Sequence, residues 1–194
     1  MTFSIQYPTT ESDVAIAYNF ANNILQFSKD YPRSLSFYIS VFNKDPRYIL
    51  IAKHRNNIVG TILSSDQDEN SLLVGEIAIS DGFRGLGLGS RLMNKIEENA
   101  KLLNKTQILL GALNTAEDFY LKRGYIPKLF IQLEGNNRIE EIKKHISNRI
   151  IWDKTGDGFS KVIVATEGID KDLQNKLSKA LGAHTQYLFS KDLA

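Results

Sequence analysis

Between Asp81 and Ser90 the chain reads Asp-Gly-Phe-Arg-Gly-Leu-Gly-Leu-Gly-Ser, directly after an apolar run that ends at Ile79. Glycine permits tight turns and lets backbone N–H groups approach a ligand closely. Apolar residues at helical spacing follow the stretch, so a helix begins there, and its first N–H groups and its dipole favour an anion. A strand, a glycine-rich loop and a helix N-terminus together predict a phosphate-binding cradle. The three glycines at alternate positions are Gly85, Gly87 and Gly89.

Two familiar phosphate-binding motifs fit this loop poorly. A P-loop ends in Gly-Lys-Ser/Thr, whereas Gly89 is followed by Ser90 and Arg91. The dinucleotide fingerprint G-x-G-x-x-G has a different spacing and requires an acidic residue about 20 positions further on. On the glycines alone, a glycine-rich connection that binds nothing is an equal alternative.

The composition excludes several classes of protein. The chain has 194 residues with 42% hydrophobic and 24% charged side chains, which is typical of a globular domain. Its net charge of +2 gives no concentrated basic surface, so we expect no nucleic-acid partner. There is no secretory signal and no run of about 20 apolar residues, so we expect a cytoplasmic protein without a membrane partner. The absence of cysteine and the wide separation of the three histidines predict that no metal is bound.

A second motif lies downstream of the glycine loop. It runs from Ala116 to Tyr125, and in it Tyr120 lies four residues before a Gly-aromatic pair. The segment Arg84–Gly89 fits the pattern R/Q-x-x-G-x-G/A, and a strand-like run that contains Glu76 precedes it. The two motifs, in this order and separated by a predicted helix and strand, resemble the GNAT superfamily of N-acetyltransferases. The resemblance covers roughly residues 3–128.

The resemblance implies an α/β (α+β) protein with the GNAT acyl-CoA N-acyltransferase fold, and acetyl-CoA as co-substrate. The glycine-loop amides would bind the pyrophosphate of coenzyme A, and the preceding strand would pair with the pantetheine arm. One position departs from the family pattern, because the usual asparagine falls at Leu113 and Asn114 lies one residue later. The residues that the resemblance assigns to the cofactor are Ile77, Ala78, Ile79, Arg84, Gly85, Leu86, Gly87, Leu88, Gly89, Ser90 and Asn114.

Two residues are candidates for the chemistry of acetyl transfer. The resemblance assigns Tyr120 the role of general acid toward the leaving thiolate; the alternative is a core aromatic residue beside Phe119. An amine must lose a proton to attack, and Glu76 is the candidate base because it lies on the strand that would carry the thioester. Strand alternation places Glu76 on the face opposite Ile77 and Ile79. A solvent-facing carboxylate and a role for Asp81 are the alternatives.

The rest of the chain predicts a second part. Counted from the strand at 129–134, the elements follow the order β-α-β-β-α-β, which is typical of a ferredoxin-like unit. We therefore predict a GNAT domain at 1–134 and a small α+β module at 135–194. The alternative is an insertion over 135–183 followed by a strand that closes the GNAT sheet.

The function predicted from these features is direct transfer of an acetyl group from acetyl-CoA to an amine. The acceptor could be a small molecule, a peptide N-terminus or a lysine, and both a monomer and a homodimer are open. The aromatic stretch from Phe27 to Phe42 falls where GNAT domains line the acceptor pocket. The alternative function is a non-catalytic acyl-CoA-binding module.

Overall fold

The computed structural model describes residues 2–25, 33–147 and 149–193. The chain forms two compact units, one made of residues 1–108 with 192–194 and the other of residues 109–191. The loop that the sequence predicts around Phe27 and Tyr31 lies outside the described residues. No described helix is long and apolar enough to cross a membrane.

The described residues of the first unit form four strands and three α-helices. Its strands follow the chain as an antiparallel sheet in the order β1-β2-β3-β4. The elements are β1 (Ser4–Gln6), α1 (Glu11–Leu25), α2 (Leu35–Lys44), β2 (Ile49–His54), β3 (Asn57–Asp66), β4 (Ser71–Ile79) and α3 (Leu88–Leu102).

The strands β2 and β3 form a hairpin with a two-residue turn. His54 pairs with Asn57, which leaves Arg55 and Asn56 as the turn. The left-handed conformation falls on Arg55, with φ 56°, and not on an asparagine. Asparagine tolerates this region better than arginine, so the position of the left-handed residue in this turn is not evident from the sequence.

Helices cover both faces of this sheet. On one face, α3 lies over Gly60 of β3, where an added Cβ would contact Leu92 and Leu88 at 3.2 and 3.3 Å. The helices α1 and α2 both pack against β3, and α1 also packs against β4. The first unit is therefore a sheet packed between helices. Its strand β4 ends where the glycine loop begins.

The described residues of the second unit form five strands and three α-helices. Its strand order is β5-β9-β6-β8-β7. The elements are β5 (Gln107–Gly111), α4 (Glu117–Lys122), β6 (Ile126–Glu134), α5 (Ile139–Lys143), β7 (Ile150–Gly156), β8 (Phe159–Ala165), α6 (Lys171–Leu181) and β9 (His184–Asp192).

Local sequence signals set the ends of several of these elements. The turn between β7 and β8 consists of Asp157 and Gly158, both left-handed with φ 54° and 81°, as a two-residue type I′ hairpin requires. Asp170 caps α6 through its side chain, which accepts from the Leu173 N–H at 2.8 Å. Gly182 ends the same helix in the left-handed conformation, with φ 64°.

The predicted element order β-α-β-β-α-β is present from β6 to β9. β6 pairs with β8 along one edge and with β9 along the other. The boundary expected at 134/135 therefore falls inside the second compact unit, at the end of a strand whose two neighbours both lie beyond it. An independently folding module at 135–194 stays a prediction.

Candidate functional site

The glycine loop adopts the conformation that its sequence favours. Gly85 and Gly87 both lie in the left-handed region, with φ 75° and 76°. A Cβ added to either residue would meet no atom within 4 Å, so the space beside the loop is open. Side chains are disfavoured here by the backbone conformation and would also project into the space that a ligand needs.

The loop ends on the first turn of α3. Gly87 is the N-cap, and the first intrahelical hydrogen bond runs from the Arg91 N–H to its carbonyl at 3.1 Å. The amides of the first turn lie at the positive end of a 15-residue helix, where the helix dipole favours an anion. These residues fit a pyrophosphate, because the loop presents backbone donors without side chains in the way.

Arg84 lies at the start of the loop, and two contacts hold its guanidinium in place. Its Nε donates to the Ile79 carbonyl at 3.2 Å, and its Nη1 forms an ion pair with Asp81 at 2.9 Å. The Arg84 side chain is 59% exposed, so its remaining donors face solvent. The predicted alternative base, Asp81, is thus an exposed partner of this arginine.

A β-bulge interrupts β4 just before the residues assigned to the cofactor. Glu76 pairs with Leu63 and Val74 pairs with Ser64, so the register shifts by one residue and Gly75 is the extra residue of the bulge. Paired residues of an antiparallel ladder point to the same face, so the bulge turns Glu76 to the face opposite Val74. That face is also opposite Ile77 and Ile79, which lie on the α3 side.

Glu76 is a buried carboxylate in an unusual environment. It is 2% exposed, and neither of its oxygens has a hydrogen bond of ordinary geometry within the described part of the chain. Burial raises the pKa of Glu76 to about 7, against smaller lowering effects of the Tyr38 hydroxyl and of the Arg33 charge. A carboxyl group with a pKa near neutrality can accept and release a proton at physiological pH.

Two further side chains lie beside the bulge: Tyr38, which belongs to the aromatic stretch from Phe27 to Phe42, and Arg33, for which the sequence offers no signal. A Cβ on Gly75 would lie 2.6 Å from the Tyr38 hydroxyl and 3.1 Å from Arg33 Nη1, so both side chains reach the bulge. Tyr38 is fully buried. A glycine inside a strand is a sequence signal for a bulge or a close approach, and Gly75 carries that signal.

Tyr120 lies in the second unit, on α4, and is 3% exposed. Its ring packs against Phe119, Tyr125 and Phe189, with ring centroids 5.1 to 5.8 Å apart. Burial raises the pKa of Tyr120 to about 12, although the Arg123 charge acts to lower it. The hydroxyl therefore keeps its proton throughout the neutral range, which is the form that a proton donor needs.

Asn114 begins the short turn ahead of α4. Its side-chain oxygen accepts from Lys171 Nζ at 3.3 Å. The same ammonium group lies 2.7 Å from both carboxylate oxygens of Glu117 and 3.0 Å from the side-chain oxygen of Gln174. The side-chain oxygen of Asn114 is thus engaged within the second unit, and its assignment to the cofactor stays a prediction.

Metal ligands are not grouped in the described residues, where no three His, Asp or Glu side chains are placed to hold an ion. The chemistry that the first unit offers is a backbone anion site beside a strand, followed on that strand by a buried carboxyl group. This combination suits a ligand with a phosphate part and a reaction that needs a base.

Comparison with known proteins agrees with this geometry. Residues 45–127 match the model of the acetyltransferase (GNAT) domain. No curated protein sequence gives a match.

Solved structures are similar in fold at low identity. A GNAT family acetyltransferase from Elizabethkingia anophelis with acetyl-CoA bound is 17% identical, with a TM-score of 0.56 and 98% of each chain covered. Diaminobutyrate acetyltransferase from Paenibacillus lautus, in complex with L-2,4-diaminobutyric acid and coenzyme A, is 13% identical, with a TM-score of 0.54 and 87% of this chain and 98% of that chain covered. The ribosomal-protein-S18-alanine N-acetyltransferase from Escherichia coli is 14% identical, with a TM-score of 0.52 and 100% and 95% covered. These likenesses establish the fold.

Proposed function

Because this chain carries a GNAT acetyltransferase domain, we propose that it transfers the acetyl group of acetyl-CoA directly to an amine, with Glu76 as the base. The observation that carries the proposal is the burial of Glu76 on the strand that leads into the glycine loop, without a cation within 4 Å among the described residues. The fold neighbours act on both kinds of acceptor, a small amino acid and a protein alanine, and by themselves support neither for this chain.

Acetyl-CoA supplies an acyl thioester, and the roles of the protein are to hold it and to move protons. The amides of residues 85–90 bind the pyrophosphate, and Arg84 adds a positive charge at the start of the loop. The backbone of residues 77–79 aligns the pantetheine arm, and the Ile79 amide donates to the thioester oxygen, where negative charge develops.

Glu76 removes the proton that the attacking amine must lose. An alkylamine is mostly protonated at pH 7, and its nitrogen can attack only when it gives up a proton; the Glu76 carboxylate accepts that proton. Burial gives Glu76 a pKa of about 7, and roughly half of it is therefore ionised at neutral pH.

Tyr120 donates a hydrogen bond and then a proton to the departing thiolate. This role rests on the second motif of the resemblance. Its pKa of about 12 lies above that of an ordinary thiol, so proton transfer to the thiolate is uphill by about three pKa units or more, and hydrogen bonding contributes most of the effect.

The experiment is a screen of amine acceptors with acetyl-CoA, in which released coenzyme A is measured with a thiol reagent. The chain contains no cysteine, so the protein gives no thiol background. The panel contains small amines, peptides with free N-termini and lysine peptides. Amine-dependent thiol release is expected, and acetyl-CoA binding with no release for any amine would favour a non-catalytic binding module.

Cofactor binding has a separate test in Gly87→Val. The substitution places a branched side chain on a left-handed residue and beside the open loop, so acetyl-CoA affinity should fall at least tenfold, about 1.4 kcal/mol. Gly82→Ala is the matched control, because Gly82 has no positive φ and an added Cβ there meets nothing within 4 Å. Calorimetry that gives equal affinities for folded Gly87→Val and Gly82→Ala would remove the loop assignment.

A further inference from the structure

Arg33 is held in place above the bulge of β4. Its carbonyl accepts from the Tyr18 hydroxyl of α1 at 3.3 Å, and its Nη1 donates to Ser65 Oγ of β3 at 2.9 Å. The guanidinium also lies 5.2 Å from the ring centroid of Phe37 in α2. Contacts with α1, β3 and α2 therefore fix the position of Arg33, although the residue lies just before the start of a helix.

The guanidinium and the Glu76 carboxylate belong to one face of the sheet. Ser65, to which Arg33 is bonded, lies two residues from Leu63, and Leu63 pairs with Glu76. Alternation along β3 puts Ser65 and Leu63 on the same face, and therefore Glu76 as well. Nη1 of Arg33 lies 3.1 Å from the position of a Cβ on Gly75, the residue next to Glu76.

The two opposite charges are neighbours without forming an ion pair. Across residues 2–25, 33–147 and 149–193, no carboxylate lies within 4 Å of the Arg33 guanidinium. The Arg33 charge nevertheless acts on Glu76 through space. A guanidinium has five donors in a planar fork that matches a carboxylate, and the bond to Ser65 engages only one of its nitrogens.

We propose that Arg33 binds a carboxylate of the acceptor, so that the acceptor is an amine that carries a carboxylate close to its amino group. The amine lies at Glu76 and the carboxylate at Arg33, and each charge of the ligand meets the opposite charge of the protein. Amino acids and short ω-amino acids have this arrangement. The inference rests on the proposed acetyl transfer and adds the chemical class of the acceptor to it.

The test compares matched acceptors that differ only in the carboxylate. Free amino acids, including β- and ω-amino acids, are each compared with the corresponding primary amide in the thiol-release assay. The wild-type protein should have a kcat/KM at least tenfold higher for the acids than for the amides. Equal values for the acids and the amides would overturn the inference and leave acetyl transfer standing, whereas no release with either would overturn the proposed function.

The variant Arg33→Met tests whether Arg33 causes the preference for acids over amides. The kcat/KM for the acids should fall at least tenfold, mainly through KM, while the value for the amides changes less than twofold. Arg33→Lys keeps the charge and loses the fork, so part of the preference for acids should remain. Arg55→Met, in the exposed β2–β3 turn, is the matched control. Equal losses for acids and amides in folded Arg33→Met would show a merely structural role.

Discussion

Each compact unit buries one glutamate, and the surroundings of the two carboxylates differ. Glu117 of the second unit is 3% exposed, and Lys171 Nζ lies 2.7 Å from both of its oxygens. Glu76 of the first unit is 2% exposed and forms no ion pair with any cation of the described residues. Burial alone therefore does not distinguish a structural carboxylate from a reactive one. The absence of an ion pair does, because a buried carboxylate without a cation in contact is costly and persists where it has a function.

The largest expected effect tests the reactive half of this comparison. Glu76→Gln keeps the shape of the side chain and removes its basicity, so kcat should fall on the order of 10³-fold with acetyl-CoA affinity little changed. Glu69→Gln, in the exposed turn before β4, is the control and should keep full activity. Full turnover by folded Glu76→Gln, measured where chemistry limits the rate, would return Glu76 to a structural role.

The next effect is on stability as pH changes. The pKa of Glu76 in the folded state, about 7, lies above the unfolded value of 4.5. Its stabilising contribution is therefore complete below pH 4.5 and is lost as pH rises through 7, by on the order of 3 kcal/mol at most. Denaturant unfolding at pH 5 and pH 8 measures the change. The wild type should lose more free energy of unfolding between these values than Glu76→Gln does, and equal losses would contradict the raised pKa.

A smaller expected effect, on kcat, tests whether a residue of the second unit also takes part in the chemistry. Tyr120→Phe removes only the hydroxyl from a ring packed among Phe119, Tyr125 and Phe189. We expect kcat to fall on the order of 10²-fold, about 2.7 kcal/mol, without a matching loss of cofactor affinity. Phe119→Leu, next to it on α4, controls for packing. If Tyr120→Phe turned over as fast as the wild type, Tyr120 would be a core aromatic residue.

The smallest effect tests the structural half of the comparison. Lys171→Met leaves the Glu117 carboxylate buried without its cation, which should cost about 1–2 kcal/mol, since Lys171 is itself 43% exposed. Lys176→Met, an exposed lysine on the same helix, should cost less than about 0.5 kcal/mol. Equal unfolding free energies for the two variants would show that Glu117 does not depend on Lys171.

Local signals in the sequence predicted most of the fold and the tight backbone turn of the glycine loop. Alternate glycines, a capping aspartate at 170 and a terminating glycine at 182 act on their immediate neighbours, so their effects can be inferred one residue at a time. The GNAT resemblance added the acetyltransferase fold and acetyl-CoA, and the domain match and fold neighbours support both.

What escaped prediction depends on contacts between distant segments. Arg33 and Tyr38 meet the bulge at Gly75 about 40 residues later in the chain, and Glu117 meets Lys171 54 residues later. The spacing of apolar and polar residues along the sequence does not indicate contacts between such distant residues. Strand alternation correctly placed the Glu76 side chain on the face opposite Ile77 and Ile79. Only the register with β3 shows the bulge, which also puts Glu76 on the face opposite Val74.

The central claim is that Glu76 is a buried carboxyl group that titrates near neutrality. Its most direct test is an NMR titration of side-chain carboxyl carbons in the full-length protein, with the Glu76 signal assigned by its disappearance in Glu76→Gln. We expect a midpoint near pH 7, well separated from the other carboxyl groups. A midpoint between about 4 and 5, the range of an ordinary glutamate, would contradict the account.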